Sequence, residues 1–320
     1  MQQSKIKCTT RSLLRYPGSK ARLARFIAEA LSVNGFNRPC FVEPFCGGAS
    51  VSIALLESNV VGSIVLNDID PLVGSLWKCV FSKSNAKWLS NAVMQVPLTL
   101  DYWKFQKQLE PTTLREMALK CLYLNRTSFS GVLHRDAGPI GGLSQAKWTI
   151  GCRFNREKLS RRILELSSYA NRVKIMDDQS WFDVCESLKH SKNTFFYLDP
   201  PFYYKAQRLY RFTFTNDEHL LLSQYLRQLE QPWILSYDNA TNIRELYNSV
   251  DLNARVIDNT YSAHPMGGNS FVGRELIYSN MSLLPTPVEH LNHLGLTVRN
   301  FEQAKNFSST KQPITNVCYV

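Results

Sequence analysis

The sequence predicts an α/β protein built on one doubly wound, mostly parallel sheet that is interrupted by a mainly helical insertion. Three observations carry this. Between residues 40 and 81 an apolar strand, a glycine turn, a helix, a second strand and a second helix follow one another, which is the order of a parallel βαβ sheet. From about residue 84 to 172 that alternation stops. It returns as four apolar runs at 172–176 (RVKIM), 193–198 (NTFFYL), 232–237 (PWILSY) and 274–279 (RELIYS).

The elements follow in order. Ser19 can cap a first helix in which Leu23, Phe26, Ile27, Ala30 and Leu31 share a face, and Asn34-Gly35 ends it. Cys40–Glu43 is a strand stopped by Pro44, and the small-residue turn CGGAS leads into a helix reaching Glu57. Gly62–Leu66 is the second strand, closed by Asn67-Asp68, with a helix over Pro71–Phe81. Residues 84–125 read as mostly helical, with an apolar-rich helix from Thr113 to Leu124; 127–153 is glycine-rich and irregular; Arg156–Tyr169 is a basic amphipathic helix. The pattern predicts a domain made of 1–95 and 173–284, an insertion over 96–172, and a peripheral tail from Pro285 to the end.

Composition narrows the function. At 44% hydrophobic the chain has enough apolar material for a core, which excludes wholesale disorder. Its apolar runs break every few residues, far short of the ~18–20 a bilayer span needs, and the first residues hold no apolar leader segment. The eight cysteines form no CxxC pair, so they read as free thiols of a cytoplasmic protein; His290 and His293 have no cysteine or carboxylate at ligand spacing, and no metal site is expected. The net charge is +11, and residues 101–175 carry +8 of it, with 14 Lys and Arg against six acids. A polyanion is the expected partner, and the insertion is the part expected to touch it.

Three stretches carry chemistry. The turn Glu43-Pro-Phe-Cys-Gly-Gly-Ala-Ser50 puts Gly47 and Gly48 where a ligand approaches backbone at the carboxyl end of a strand, and Asp68 at the end of the second strand suits ribose hydroxyls. It matches neither the dinucleotide GxGxxG nor the phosphate-binding GxxxxGK pattern. In Leu198-Asp199-Pro200-Pro201-Phe202 two prolines remove amide donors and leave rigid carbonyl acceptors beside a carboxylate and an aromatic plane. That set suits a planar ring bearing an NH₂ group, because both amino hydrogens find acceptors and the carboxylate stabilises charge developing on nitrogen. Arg15-Tyr-Pro-Gly-Ser-Lys20 places an aromatic and a cation at a helix start. Each stretch alone also fits a structural turn.

Together, and in this order, RYPGSK, FVEPFCGGASV, LYLNRTSFSG (122–131), DPPF and GRELIYSN resemble the Dam-like, class alpha DNA adenine methyltransferases over about residues 11–280. The resemblance implies a Rossmann-like catalytic sheet, S-adenosylmethionine as methyl donor, and duplex DNA as substrate with the adenine flipped out. It implies that Tyr16, Lys20, Glu43, Phe45, Gly47, Asp68, Asp178 and Asp199 bind the donor, with Asp177 an alternative to Asp178. Asp199, Pro200 and Phe202 would carry catalysis, and Arg15, Arg126, Ser128, Phe129 and Arg135 would meet DNA. Two departures stand out: Phe202 replaces the usual Tyr, and Ala49 replaces a glycine, which is expected to need a negative φ there. A monomer is expected, with a restriction endonuclease as a conceivable functional partner. The alternatives are an rRNA base-amino methyltransferase and a catalytically silent DNA-binding protein on the same fold; a dinucleotide oxidoreductase lacks its glycine fingerprint.

Overall fold

The computed structural model describes residues 12–15, 20–176, 178–204, 211–248, 251–261, 271–285 and 296–300. Tyr16, Asp177 and the proposed cap Ser19 lie outside them, as do His290 and His293. The first helix, α1 (Leu23–Val33), is followed by β1 (Cys40–Glu43), α2 (Ser50–Glu57), β2 (Ser63–Leu66) and α3 (Pro71–Val80). Asp70 caps α3 by accepting the Leu72 amide at 2.9 Å, with Pro71 at the first helical position, where its missing N–H is not needed. Then come α4 (Lys83–Gln95), α5 (Leu100–Gln108), α6 (Leu114–Thr127) and α7 (Arg156–Ser167). Thr113 and Glu116 form a reciprocal capping box on α6. The chain continues through β3 (Val173–Ile175), α8 (Trp181–Leu188), β4 (Thr194–Leu198), α9 (Asn216–Gln228), β5 (Trp233–Asp238), α10 (Thr241–Leu246), β6 (Asn253–Tyr261), β7 (Phe271–Ser279) and β8 (Leu296–Asn300).

The eight strands lie in the order β3-β2-β1-β4-β5-β7-β6-β8. The first five pair in parallel, and β7, β6 and β8 add antiparallel. Successive residues on the central strands serve opposite cores. Phe41, Ile64, Leu66, Phe195 and Tyr197 point into one cluster with α1–α4, α6 and α7. Val42, Val65, Phe196, Leu198 and Leu235 point into the other with α8, α9 and α10. Helices therefore cover both faces, as the doubly wound reading expects. β6 and β8 are additions to that expectation: β8 comes from the tail and pairs with β6 from Arg255 to Asn259.

Residues 96–172, expected as an insertion, pack onto the rest of the chain rather than standing apart. α6 packs along α3 and α7 along α4, and Ala118, Cys121, Leu122, Ile163 and Leu166 join the first core. Arg162 clamps Glu57 of α2 with its two guanidinium nitrogens at 2.5 and 3.0 Å. At the end of α6, Asn125 is buried and reads the N-terminal segment. Its Oδ1 accepts the Arg15 amide at 2.7 Å, and its Nδ2 donates to the carbonyls of Gly131 at 2.7 Å and Arg15 at 3.3 Å.

Gly131 sits at φ +75°, and a Cβ there would meet the Arg15 carbonyl oxygen at 2.1 Å. Gly131→Ala is therefore expected to destabilise the protein by more than about 1 kcal/mol in chemical denaturation, since both the backbone region and the space exclude a methyl group.

Candidate active site

Strand ends build the site. β1 closes on Glu43, β2 on Leu66 just before Asn67 and Asp68, and β4 on Leu198 just before Asp199. β1 and β4 are adjacent, and the strand order reverses between them, so the crevice at their carboxyl ends is where such sheets bind ligands.

The β1 turn is held by backbone and carboxylate. Asp68 accepts the Gly47 amide at 2.8 Å on one oxygen and the Asp70 amide at 2.9 Å on the other. Trp77 donates its indole N–H to the Gly47 carbonyl at 2.8 Å, and Asn67 bridges the Pro44 and Gln179 carbonyls, both at 3.0 Å. Glu43 is buried and accepts the Ser52 hydroxyl from α2. Phe45 is half-buried against Phe214 and Trp181. Asp178 is exposed at φ +60° and its amide donates to the Asp68 carbonyl at 3.2 Å. The strand ends thus gather Glu43, Phe45, Gly47, Asp68 and Asp178 around one turn. Ala49 departs from expectation: its φ is +48° rather than negative. The turn closes so tightly, with the Ala49 amide 2.5 Å from the Cys46 carbonyl, that α2 must start from a left-handed residue.

Across the crevice, Lys20 is buried at 3% exposure with its ammonium 3.4 Å from Asp199, 3.5 Å from Glu275 of β7, and 5.0 Å above the Phe202 ring. Ser236 of β5 donates to Asp199 at 2.7 Å and shares a 2.9 Å contact with the Tyr197 hydroxyl. The Asp199 side chain keeps 22% of its surface open, so it remains reachable from the crevice. Burial pushes its carboxyl up to about 6, against the pull of Lys20 and Ser236, with Glu275 pushing the same way as burial. Burial likewise pushes Glu43 up to about 8 and Asp68 to about 7. The buried Lys20 ammonium faces two carboxylates, Asp199 and Glu275, an excess of acid over base that suits a cationic ligand.

The family model for the D12 class N6 adenine-specific DNA methyltransferases matches residues 16–262. The chain belongs to this family. A solved rRNA methyltransferase, aviRa from Streptomyces viridochromogenes, is similar at 12% identity over 85% of this chain and 90% of that chain, with a TM-score of 0.42. No curated protein matches the chain.

In this adenine methyltransferase the residues expected to meet DNA divide. Phe129 is 55% exposed and Arg135 is exposed on the loop that Lys107 ties by donating to the His134 and Arg135 carbonyls. Arg15 is partly buried, its guanidinium pKa lowered by burial and then by nearby Arg153. Arg126 donates to the Leu13 and Ser12 carbonyls at 2.7 and 3.2 Å, which binds α6 to the N-terminal segment. Ser128 does not face outward. It is fully buried and accepts the Trp103 indole N–H at 3.1 Å, so its hydroxyl has no surface to offer a duplex. Sequence reading missed Glu275, Ser236 and the Asp70–Arg211 ion pair at 2.7 Å. For Glu275 a signal existed: it is the one acid in the strand FVGRELIYS.

Folded Glu43 holds its proton to about 8, whereas an unfolded glutamate loses it in the usual carboxylate range. Its ionisation therefore opposes folding, and the penalty grows as pH rises through that interval. Glu43→Gln is expected to gain stability relative to wild type between pH 5.5 and 8.5, read as a difference of melting temperatures that widens with pH.

Proposed function

We propose that this DNA adenine methyltransferase acts on an adenine flipped out of duplex DNA, with S-adenosylmethionine as donor and Asp199, Pro200 and Phe202 at the reacting amine. The observation that carries the reading is the Lys20–Asp199–Phe202 group standing across the strand-order reversal from the Glu43–Ala49 turn. In this reading residues 1–95 and 173–284 are the catalytic domain, and 96–172 recognise the target.

The donor fits the residues present. Its sulfonium and ammonium charges would answer the surplus of buried carboxylates, its ribose hydroxyls would meet Asp68, and the turn bearing Gly47 and Phe45 would lie along it, with Asp178 toward its adenine. Lys20 would stay on the Asp199 side of the crevice. When bound, S-adenosylmethionine supplies an electrophilic methyl group.

The chain's own residues do the rest. Extruding the base costs a few kcal/mol of stacking and pairing, which a ring such as Phe202 offsets by about 1–3 kcal/mol. The Asp199 carboxylate accepts one hydrogen of the amine and the Pro200 carbonyl the other, so the nitrogen lone pair is drawn out of conjugation and aimed along the line of transfer. The N–C bond would form as the donor's C–S bond breaks and its electron pair leaves on a neutral thioether sulfur; the nitrogen becomes positive, and Asp199 stabilises that charge and accepts the proton it sheds. The rate comes from positioning and from charges fixed before the reaction starts. Phe129 would fill the stack that the base leaves, and Arg15, Arg126 and Arg135 would answer phosphates or base edges. The cellular setting would be restriction–modification, phage DNA or chromosome methylation, the chain working as a monomer.

Labelled S-adenosylmethionine, unmethylated duplex DNA and nucleoside digestion test the reading. Labelled N6-methyl-2′-deoxyadenosine from wild type, with at least a ~10³-fold loss in Asp199→Ala, is the expected outcome. Label on cytosine, or on RNA alone, would overturn the substrate assignment. Because the active carboxyl must be ionised, kcat/KM is expected to fall about tenfold per unit of pH below about 6, the acid limb set by Asp199.

A further inference from the structure

Glu275 lies in β7 between Arg274 and Leu276, paired in register with Asp238 of β5 and Ile257 of β6, and it is buried. A carboxylate in such a place is costly unless it is matched, and its match is Lys20 at 3.5 Å. The same ammonium reaches Asp199 at 3.4 Å and covers the Phe202 ring at 5.0 Å. A lysine is a point charge on a flexible four-carbon stem, and one carboxylate leaves it free to pivot. Two carboxylates arriving from different strands leave it one location. That location is against the carboxylate and ring that face the crevice.

We propose that Glu275 is a positioning residue for methyl transfer: it fixes Lys20 between itself, Asp199 and Phe202, so that the carboxylate and the ring hold the geometry the target amine requires. The inference rests on the reading of Asp199 given above. It also fixes the charge balance at Asp199. That carboxyl is faced by Lys20 from the N-terminal segment, Ser236 and Tyr237 from β5, Tyr197 from its own strand, Glu43 from β1 and Glu275 from β7. Lys20 and the Ser236 hydroxyl favour its charged form, while burial and Glu275 favour the neutral one. Removing the Glu275 charge while leaving an oxygen for Lys20 should make Asp199 more acidic. Removing the Lys20 charge should make it less acidic. A residue that merely filled space would do neither.

The test is the pH dependence of kcat/KM for wild type, Glu275→Gln and Lys20→Met, together with a ¹³C NMR titration of the aspartate carboxyls, assigned with Asp199→Asn and needing no turnover. The acid limb is expected to move down by at least half a unit in Glu275→Gln, raising activity at pH 5.5 relative to pH 8 by about twofold or more. It is expected to move up in Lys20→Met. Coincident limbs, or an Asp199 titration that neither substitution moves, would overturn the proposal. If Glu275→Gln fails to fold, an unmoved Asp199 resonance in Lys20→Met overturns it equally. A wild-type protein that transfers no methyl group would instead sink the reading of function, and the NMR titration would still decide the role of Glu275.

Discussion

A carboxylate taken out of water keeps its charge only through the groups that surround it, and the arrangement around Asp199 organises much of this molecule. Lys20 comes from the segment before α1, Ser236 from β5 and Glu275 from β7, so three distant parts of the chain converge on one side chain. None of the three elements gains much by burying polar groups there. The parallel sheet tolerates it because its strand ends open into a crevice, where carboxylates can be charged toward a ligand and half-shielded from solvent. The antiparallel addition of β7 beside β5 buries Leu276, Ile277 and Tyr278 in the cores and brings Glu275 to Lys20.

The insertion obeys the same economy of connection. α6 and α7 lie against α3 and α4 and share their apolar core, so the basic part of the chain has no hinge-like neck of its own. Asn125 and Arg126 bind the backbone of residues 12–15, the segment that leads toward Lys20. The Phe129 loop therefore packs, through Gly131 and Asn125, against Arg15 of that segment.

The parallel strands were legible because burial on both faces writes them as short continuous apolar runs, such as TFFYL in β4. β6 was not, since NARVIDNTY mixes polar and β-branched residues, and β8 is five residues within a polar tail. DPPF was legible because its parts are contiguous. Ser236 was not, because a lone polar residue in a strand has no local signature until the fold brings it a partner; Glu275 carried only the signal of a single acid in its strand, with nothing to name Lys20 as its partner. Ser128 misled for the converse reason: its burial depends on Trp103, twenty-five positions away on α5, and nothing in the local sequence announces that cover. Ala49 shows a third limit, in which turn closure outweighs the steric preference of an alanine.

β8 has a consequence of another kind. β6 is a nine-residue strand, long for an outer position, with one side paired to β7. Left bare, its other side would present a row of amides and carbonyls to any passing strand, the template from which edge-to-edge aggregates grow. Residues 296–300 occupy that row from Arg255 to Asn259 and move the boundary of the sheet to a strand of only five residues. Residues 296–300, four strands from β4 at the far margin of the sheet, thus cover an edge that would otherwise invite strand addition.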